Sequence, residues 1–313
     1  MSNDVIAQTP PARGGVPTEP KPRGLAAKAN HFFGRLGLHA ATTRNMRKAR
    51  KDPSYGIPVR GKRVLITGSS SGIGEAAAYR FGKLGAHVIL VARRAEELAA
   101  VAERIRSAGG QADFYPCDLR DLDALDALVA EVIAKHGGVD VLINNAGHSI
   151  RRRTVEQLER WHDVERTMQI NYFSAMRLIR GFLPGMAERG DGHIVSVASW
   201  GVVHEVNPLF APYIASKSAL AQVTRTIGTE LLNKGIHGTT LYFPLVRTPM
   251  IAPTEEYNNI PALTSDEAAE WMTLAVRVRP VRVVSKVSWW IGLFNAILPQ
   301  QVNKVIMREA RRR

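Results

Sequence analysis

The chain has 313 residues, of which 45% are hydrophobic and 22% charged, an ordinary balance for a globular protein with a sizeable core. Its single cysteine, Cys117, excludes an internal disulfide and a cysteine-ligated metal cluster, and we expect no metal. No apolar run is long enough to span a membrane and no secretory signal precedes the first strand, so the sequence predicts a cytoplasmic protein.

The net charge of +14 is concentrated at the two ends of the chain. Residues 1–60 carry +8 and residues 300–313 carry +4, whereas residues 61–299 carry only +2. Basic ends of this kind either contact anionic surfaces or are simply solvated tails. We therefore keep peripheral membrane contact as an alternative to solvated tails, and we expect no nucleic-acid partner.

The N-terminal part of the chain differs in amino-acid composition from the rest. Residues 1–24 are polar and rich in proline, which predicts disorder. Residues 25–51 predict a basic helix that ends before Pro53. We assign residues 1–58 to a basic, partly disordered N-terminal extension.

From residue 59 to residue 281 short apolar strands alternate with helical patterns. Strands are predicted over 63–67, 87–92, 112–117, 139–143, 193–198 and 238–243, with helices over 73–84, 95–108, 121–136, 156–188 and 212–234. Repeated strand–helix units with β-branched strands are typical of a parallel sheet covered by helices on both faces. The sequence thus predicts a single α/β domain of the Rossmann type, with one doubly wound parallel sheet.

Residues 282–313 form a basic, amphipathic C-terminal extension. The segment 287–298 is apolar and contains Trp289, Trp290 and Phe294, but it is too short to span a bilayer. A helix that packs on the body or on a second subunit is the favoured interpretation. A helix in the membrane interface is the alternative.

A glycine-rich turn, Thr67 to Gly74, joins the first strand to its helix. In this position glycines allow a sharp turn, and the helix N-terminus offers N–H groups to phosphates. The turn therefore predicts a dinucleotide site formed by Gly68, Ser70, Ser71, Gly72, Ile73 and Gly74.

The end of the second strand indicates which dinucleotide binds. An acidic residue there would bind the ribose of NAD, but this chain has Ala92 followed by Arg93 and Arg94. Arginine pairs with a 2′-phosphate, so we predict NADP(H), with Arg93 in the site. The alternative is that both arginines begin a solvated helix.

Tyr213 and Lys217 lie at i and i+4, on one face of a helix. An ammonium group beside a phenol lowers the pKa of the phenol, which would make Tyr213 a general acid and base near neutral pH. Ser199 ends the preceding strand and could hydrogen-bond a substrate carbonyl, and Asn171 lies in the helix before that strand. The pair alone is a weak signal, because it is common by chance.

Together these motifs resemble the classical short-chain dehydrogenase/reductase family over residues 62–280. The matching positions, in chain order, are Thr67-Gly68-x3-Gly72-x-Gly74, Asp118, Asn144-Asn145-Ala146-Gly147, Asn171, Ser199 and Tyr213-x3-Lys217. The resemblance implies a catalytic tetrad of Asn171, Ser199, Tyr213 and Lys217. It also implies cofactor contacts from Asp118, Leu119, Asn145, Ala146, Gly147, Tyr213, Lys217, Val246 and Thr248. The family tends to be oligomeric, so we expect a homo-oligomer.

Two departures from the family pattern accompany this resemblance. The interval from Ser199 to Tyr213 is 14 residues, one more than expected, and an insertion within 204–208 would absorb it. The usual Pro-Gly after the sixth strand is Pro244-Leu245.

The finer resemblance is to bacterial fatty acyl-CoA reductases, carried by the segments 144–152, 165–173, 244–254 and 257–269. It implies reduction of a long-chain acyl-CoA to a fatty aldehyde, with Tyr213 as proton donor. The resemblance places His148 where those reductases more often have arginine. Arg151, Arg152 and Arg153 are either a clamp for CoA phosphates or a solvated loop.

Other functions remain open at this stage. One alternative is a ketoreductase acting on a 3-oxoacyl or 3-oxo-mycolate-type lipid. Another, of a different class, is a non-catalytic NADP-binding scaffold at a membrane. Cys117 is expected at the end of a buried strand, where a thiol is inert.

Overall fold

The computed structural model of the protein describes residues 34–38, 44–252 and 254–311. The disorder predicted for residues 1–24 lies outside these residues. Within the predicted basic helix, residues 34–38 and Arg44–Lys51 (α1) are helical, and the remainder of that prediction also lies outside the described part of the chain.

The main sheet has seven parallel strands in the order β3-β2-β1-β4-β5-β6-β9. Its strands are β1 Arg63–Thr67, β2 His87–Ala92, β3 Gln111–Pro116, β4 Val141–Asn144, β5 Gly192–Ser199, β6 Ile236–Phe243 and β9 Arg282–Val284. Two short parallel strands, β7 Val246–Arg247 and β8 Leu263–Thr264, pair separately. The predicted α/β fold with one doubly wound parallel sheet is confirmed.

The helices cover both faces of this sheet. They are α2 Gly72–Lys83, α3 Ala95–Ser107, α4 Leu122–His136, α5 Trp161–Met168, α6 Ser174–Arg189, α7 Trp200–His204, α8 Ala211–Glu230, α9 Ser265–Val278, α10 Lys286–Ile297 and α11 Pro299–Arg311. Single 3₁₀ turns occur at Thr154–Glu156, Leu232–Lys234 and Glu255–Tyr257. No helix among the described residues is long and apolar enough to cross a membrane.

The two cores follow from the alternation of side chains along each strand. In β1, Val64 and Ile66 join the cluster beneath α2, α3 and α9, whereas Leu65 joins the cluster beneath α4 and α6. Strands that are apolar on both faces can only lie between two helical layers. The continuous apolar runs of the sequence therefore determine the layered architecture.

Part of the N-terminal extension is packed on the body of the domain. Met46 and Ala49 of α1 are buried in the core cluster that contains α9. The buried Arg277 guanidinium donates to four backbone carbonyls of this segment, those of Ala49, Asp52, Pro53 and Tyr55. At the other end, β9 lies beyond residue 281, so the sheet includes residues that the sequence analysis places in the C-terminal extension.

The predicted helix 156–188 is wrong in its first part. The α-helix begins at Trp161, and a π-helical turn, Gln169–Phe173, separates α5 from α6. Residues 151–160 form a loop with one 3₁₀ turn instead. The π-helical turn Gln169–Phe173 is of a kind that is frequent at functional sites.

Candidate active site

The polar ends of three adjacent strands meet at the carboxyl edge of the sheet. Thr67, Asn144 and Ser199 are the last residues of β1, β4 and β5, which are neighbours in the strand order. In open α/β sheets ligands bind in the crevice at this edge. The candidate residues of the sequence analysis therefore converge on one side of the molecule.

The glycine-rich turn has a backbone that only glycine accommodates. Gly68 and Gly72 have φ values of +67° and +62°. A Cβ at Gly74 would lie 2.3 Å from the Gly68 carbonyl oxygen. The turn leads into α2, whose N-cap residue, Ser71, makes no side-chain capping hydrogen bond. The helix therefore presents its N-terminal N–H groups toward the crevice, which suits a pyrophosphate.

Arg94 reaches the glycine-rich turn from the end of β2. Its Nη2 donates to Ser70 Oγ at 3.0 Å, and its Nη1 lies 3.2 Å from Glu97 Oε1. Arg93 is exposed beside it. Arg93 as a cofactor residue stays a prediction, and the structure adds Arg94, whose guanidinium contacts the turn.

The segment after β4 is bound to the end of β1. Asn145 Nδ2 donates to the Thr67 carbonyl at 2.9 Å, and the Thr67 hydroxyl accepts from the backbone of Asn145 and Ala146. A Cβ at Gly147 would lie 3.1 Å from Lys217 Nζ. The predicted cofactor wall and the predicted catalytic lysine are therefore in contact.

Asp118 and Leu119 follow β3 at the same edge. Asp118 accepts from Arg120 Nη2 at 2.6 Å, and this hydrogen bond lowers the pKa of the Asp118 carboxyl. Leu119 is buried.

Asn171 lies in the π-helical turn and is almost fully buried. Its Oδ1 accepts from the His148 N–H at 2.7 Å, and its Nδ2 donates to the His148 carbonyl and to Ser216 Oγ, each at 2.9 Å. Ser216 donates in turn to the Tyr213 carbonyl at 2.7 Å. Asn171 thus joins the loop after β4 to the helix that carries Tyr213.

Ser199 lies close enough to Tyr213 to lower the pKa of its phenol. Burial has the larger, opposite effect, so the pKa of Tyr213 is raised to about 12. The lowering expected from Lys217 is therefore wrong for the protein in this state. Lys217 Nζ donates to the Val197 carbonyl at 2.9 Å, and burial lowers its own pKa to about 8.

The interval between Ser199 and Tyr213 holds helix α7 and a following loop. Within that loop Glu205 and Leu209 adopt positive φ values of 60° and 75°. That an insertion within 204–208 absorbs the extra residue stays a prediction.

Arg247 is an organising residue that the motifs do not reveal. It lies between Val246 and Thr248, is 4% exposed, and donates to the carbonyls of Tyr257, Asn258 and Ile260. It therefore fixes the segment 257–260, and Tyr257 is close enough to raise the pKa of Tyr213. The signal available in the sequence was an arginine that lies between Val246 and Thr248, two residues expected to contact the cofactor.

The basic loop 151–153 is partly paired within the protein. Arg151 Nη1 lies 3.3 Å from Glu256 Oε1, and Arg152 Nε lies 3.7 Å from the buried Asp163. Nearby, His148 Nε2 is buried without a hydrogen-bond partner, and burial lowers its pKa. These contacts connect the loop to both sides of the crevice.

Cys117 lies just beyond the end of β3 and is buried. Burial raises the pKa of its thiol. An inert role follows, since the thiolate is the reactive form.

One group of potential metal ligands lies outside this site. His87, Asp113 and His136 place three ligand atoms within 4.8 Å of one another. Asp113 already accepts from His87 and Lys135, and the Tyr115 hydroxyl lies 2.8 Å from His136 Nε2. The expected absence of a metal stays a prediction.

Comparison with known proteins identifies the class. The profile of the short chain dehydrogenase family matches residues 62–259, and the chain belongs to this family. It is therefore an oxidoreductase, as the glycine turn and the Tyr213–Lys217 pair with Asn171 and Ser199 predict, and not a non-catalytic scaffold.

Among its relatives are two proteins named fatty acyl-CoA reductase. The one from Mycobacterium tuberculosis is 56% identical over 80% of this chain and 86% of its own length. The one from Acinetobacter baylyi is 46% identical over 80% of this chain and 84% of its own length. A candidate ketoacyl reductase of Streptomyces coelicolor is 39% identical over 73% and 89%.

Solved structures show the same fold with a bound dinucleotide. An L-sorbose reductase from Gluconobacter frateurii, complexed with NADPH and L-sorbose, matches with a TM-score of 0.63 and 28% identity, covering 74% of this chain and 93% of that one. A 3-ketoacyl-(acyl-carrier-protein) reductase from Brucella melitensis, complexed with NADH, matches with a TM-score of 0.64 and 30% identity, covering 69% and 91%.

Proposed function

We propose that this chain uses NADPH to reduce a long-chain acyl-CoA thioester to a fatty aldehyde and free CoA. The observation that carries the proposal is the similarity, over four-fifths of the chain, to two proteins named fatty acyl-CoA reductase at 56% and 46% identity. The two crevice-side segments, 144–152 and 244–254, belong to the same resemblance.

The residues of the crevice fit NADP(H). The glycine turn leaves no room for a Cβ, and Arg94 supplies a guanidinium beside Ser70 where a 2′-phosphate would lie. When bound, the cofactor supplies a hydride. The residues proposed to hold it are Gly68, Ser70, Ser71, Gly72, Ile73, Gly74, Arg93, Asp118, Leu119, Asn145, Ala146, Gly147, Tyr213, Lys217, Val246 and Thr248, with Arg94 added from the structure.

Tyr213 is the proposed proton donor. Because the pKa of its phenol is raised to about 12, Tyr213 keeps its proton at neutral pH and can give it to the oxygen of a reduced carbonyl. Ser199, which lies beside Tyr213, would donate to the same oxygen and polarise the carbonyl before reduction. The resulting hemithioacetal then collapses to the aldehyde, and its C–S bond breaks to release CoA.

In this proposal Asn171 and Lys217 complete the site. Asn171 holds the loop after β4 through both atoms of its amide. Lys217, whose Nζ would lie 3.1 Å from a Cβ at Gly147, is proposed to bind a ribose hydroxyl and to assist proton return to Tyr213. Arg153, beside the ion-paired Arg151 and Arg152, is proposed to meet CoA phosphates. A homo-oligomer remains our expectation.

A second candidate function is reduction of a 3-oxoacyl lipid. The similarity to a candidate ketoacyl reductase at 39% identity favours it, and the same Ser199 and Tyr213 would act on a ketone. The two functions differ in one product, because only thioester reduction releases CoA.

The test is NADPH oxidation by purified protein with palmitoyl-CoA, with released thiol assayed in parallel. Equal amounts of NADPH consumed and CoA released are expected. The Tyr213→Phe variant should lose the reaction, whereas Tyr55→Phe, whose hydroxyl bonds to Asn45 away from the crevice, should keep it. Oxidation with a 3-oxoacyl substrate and none with palmitoyl-CoA would overturn the acyl-CoA proposal.

A further inference from the structure

Helix α10 is amphipathic in the opposite sense to a helix on the surface of a globular domain. Its buried side chains include the polar Ser288 and Asn295, which lie on the same face as Gly292. Its exposed apolar face consists of Trp289, Trp290, Leu293, Phe294 and Ile297, which are 42%, 55%, 42%, 53% and 66% exposed. A surface helix ordinarily turns its apolar stripe toward the core. Contiguous exposed apolar residues of this size mark an interaction surface.

Specific contacts fix this orientation. Asn295 Nδ2 donates to Glu205 Oε2 at 2.9 Å, and Ser285 caps the helix by accepting from the Ser288 N–H. Gly292 lies directly against α7, since a Cβ there would be 2.9 Å from Val203 Cγ1. The polar face of α10 is therefore the face that packs against the rest of the protein. Rotation of the helix would break these contacts.

The charge around the exposed apolar face of α10 indicates which kind of partner binds there. From residue 282 to residue 308 the chain contains four basic residues, Arg282, Lys286, Lys304 and Arg308, and no aspartate or glutamate. All four are exposed, as are the apolar Val305 and Met307 of α11. Basic side chains beside tryptophans are the composition of helices that lie on an anionic bilayer.

A second copy of the chain fits this surface less well. In a two-fold interface the same patch of each copy is buried against the other, so four cations from each copy would come together with no carboxylate from residues 282–308 to pair with them. An anionic bilayer neutralises them instead. Because α10 has only 12 residues, it can lie in the interface but cannot span the bilayer.

We propose that the exposed apolar face of α10, with the adjoining part of α11, docks on an anionic lipid bilayer and lies in its headgroup region. Helix α10 rests on α7, and α7 begins directly after Ser199. Docking therefore places the catalytic edge of the sheet close to the lipid surface, from which a long-chain substrate can enter. The docking surface itself does not depend on which carbonyl is reduced.

The experiment is cosedimentation of the full chain, without substrate, with vesicles of phosphatidylcholine containing phosphatidylglycerol and with vesicles of phosphatidylcholine alone. The native chain should bind the anionic vesicles more tightly. The double variant Trp290→Ser/Phe294→Ser should bind them about tenfold or more weakly. The double variant Lys286→Glu/Lys304→Glu should lose a similar factor on anionic vesicles only.

A matched control is Leu232→Ser/Ile133→Ser, which removes two apolar side chains, 56% and 44% exposed, elsewhere on the surface. It should bind like the native chain. Equal binding by the Trp290/Phe294 variant, or no binding by the native chain, would overturn the proposal. The proposal would also be overturned if neither the native chain nor the Trp290/Phe294 variant bound vesicles and light scattering showed the variant to be a smaller oligomer than the native chain. The exposed apolar face of α10 would then be an interface between copies.

Discussion

Lys217 combines a proposed catalytic role with a cost in stability. Its side chain is 2% exposed, and burial lowers its pKa from 10.5 to about 8. The folded protein thus disfavours the charged ammonium, although catalysis is proposed to need it. We predict that Lys217→Met makes the protein more stable at neutral pH while it abolishes most of the reductase activity.

The size of the gain follows from the pKa. A fall of about 2.5 pH units corresponds to about 3 kcal/mol of unfavourable free energy when Lys217 is charged. The substitution also leaves the Val197 carbonyl without its donor at 2.9 Å, which costs about 1–2 kcal/mol. The variant should therefore be about 1–2 kcal/mol more stable at about pH 7.

The sign of the difference should change with pH. Because the folded pKa lies below the unfolded one, the unfolded chain binds more protons between about pH 8 and 10.5, and the native protein gains stability as pH rises through this window. The Met variant lacks that gain. Its advantage should shrink above about pH 8 and reverse at about pH 9 to 9.5, because the cost of the lost hydrogen bond remains while the native protein gains about 1.4 kcal/mol per pH unit.

Urea unfolding at several pH values measures this difference, with Lys83→Met as an exposed control that should change stability little. Parallel pH curves for the native chain and Lys217→Met, or a variant that is less stable at neutral pH, would refute the argument from burial. Activity measured on the same preparations should fall by about 10²-fold or more.

Three further predictions concern the same edge of the sheet. Tyr213→Phe and Ser199→Ala should each lower kcat by about 10²- to 10⁴-fold with little change in the affinity for NADPH, measured by fluorescence titration, and wild-type rates would exclude the proposed proton donor. Arg94→Ala should raise KM for NADPH by about tenfold or more and leave KM for NADH nearly unchanged, because only the 2′-phosphate needs the guanidinium, and an equal rise for both would contradict this role. Burial lowers the pKa of His204 to about 4, so the native protein should lose stability as pH falls from about 6.5 to 4. Thermal unfolding should show that His204→Gln loses up to about 3 kcal/mol less stability than the native protein over that range. If the two proteins lose stability equally, His204 is not buried as a neutral ring.

The sequence was sufficient to predict six of the seven strands of the main sheet, because these strands are largely apolar, whereas the three-residue β9 was not predicted. In β1 the run Val64-Leu65-Ile66 can only lie between two layers of helices, and the short helical segments between strands leave room only for parallel crossovers. The glycine turn is predictable for a similar reason, since the close approach of Gly74 to Gly68 admits no side chain. These are local constraints, and local patterns reveal them.

Properties that depend on tertiary burial could not be read from the same patterns. Spacing places Lys217 beside Tyr213, but the desolvation that raises the pKa of Tyr213 to about 12 depends on what packs around it. Apolar periodicity also cannot distinguish an α-turn from the π-turn that carries Asn171, so one continuous helix was predicted through residues 169–173. The contact of Arg94 with Ser70 depends on the backbone direction after β2, which the sequence does not give.

The contrast between local patterns and tertiary contacts also explains why the class of reaction is easier to predict than the substrate. Ser199 and Asn145 project from strand ends that the sheet holds in place, and their geometry is the same for a thioester and for a ketone. The segments that would meet the rest of the substrate are held by a few side chains, such as Arg247, which donates to the backbone of 257–260, and Asn295, which joins α10 to Glu205. A few substitutions there can change which carbonyl enters without disturbing the sheet. Measurements on Arg247 and on the exposed apolar face of α10 will therefore separate candidate substrates more effectively than further substitutions at Ser199 or Tyr213.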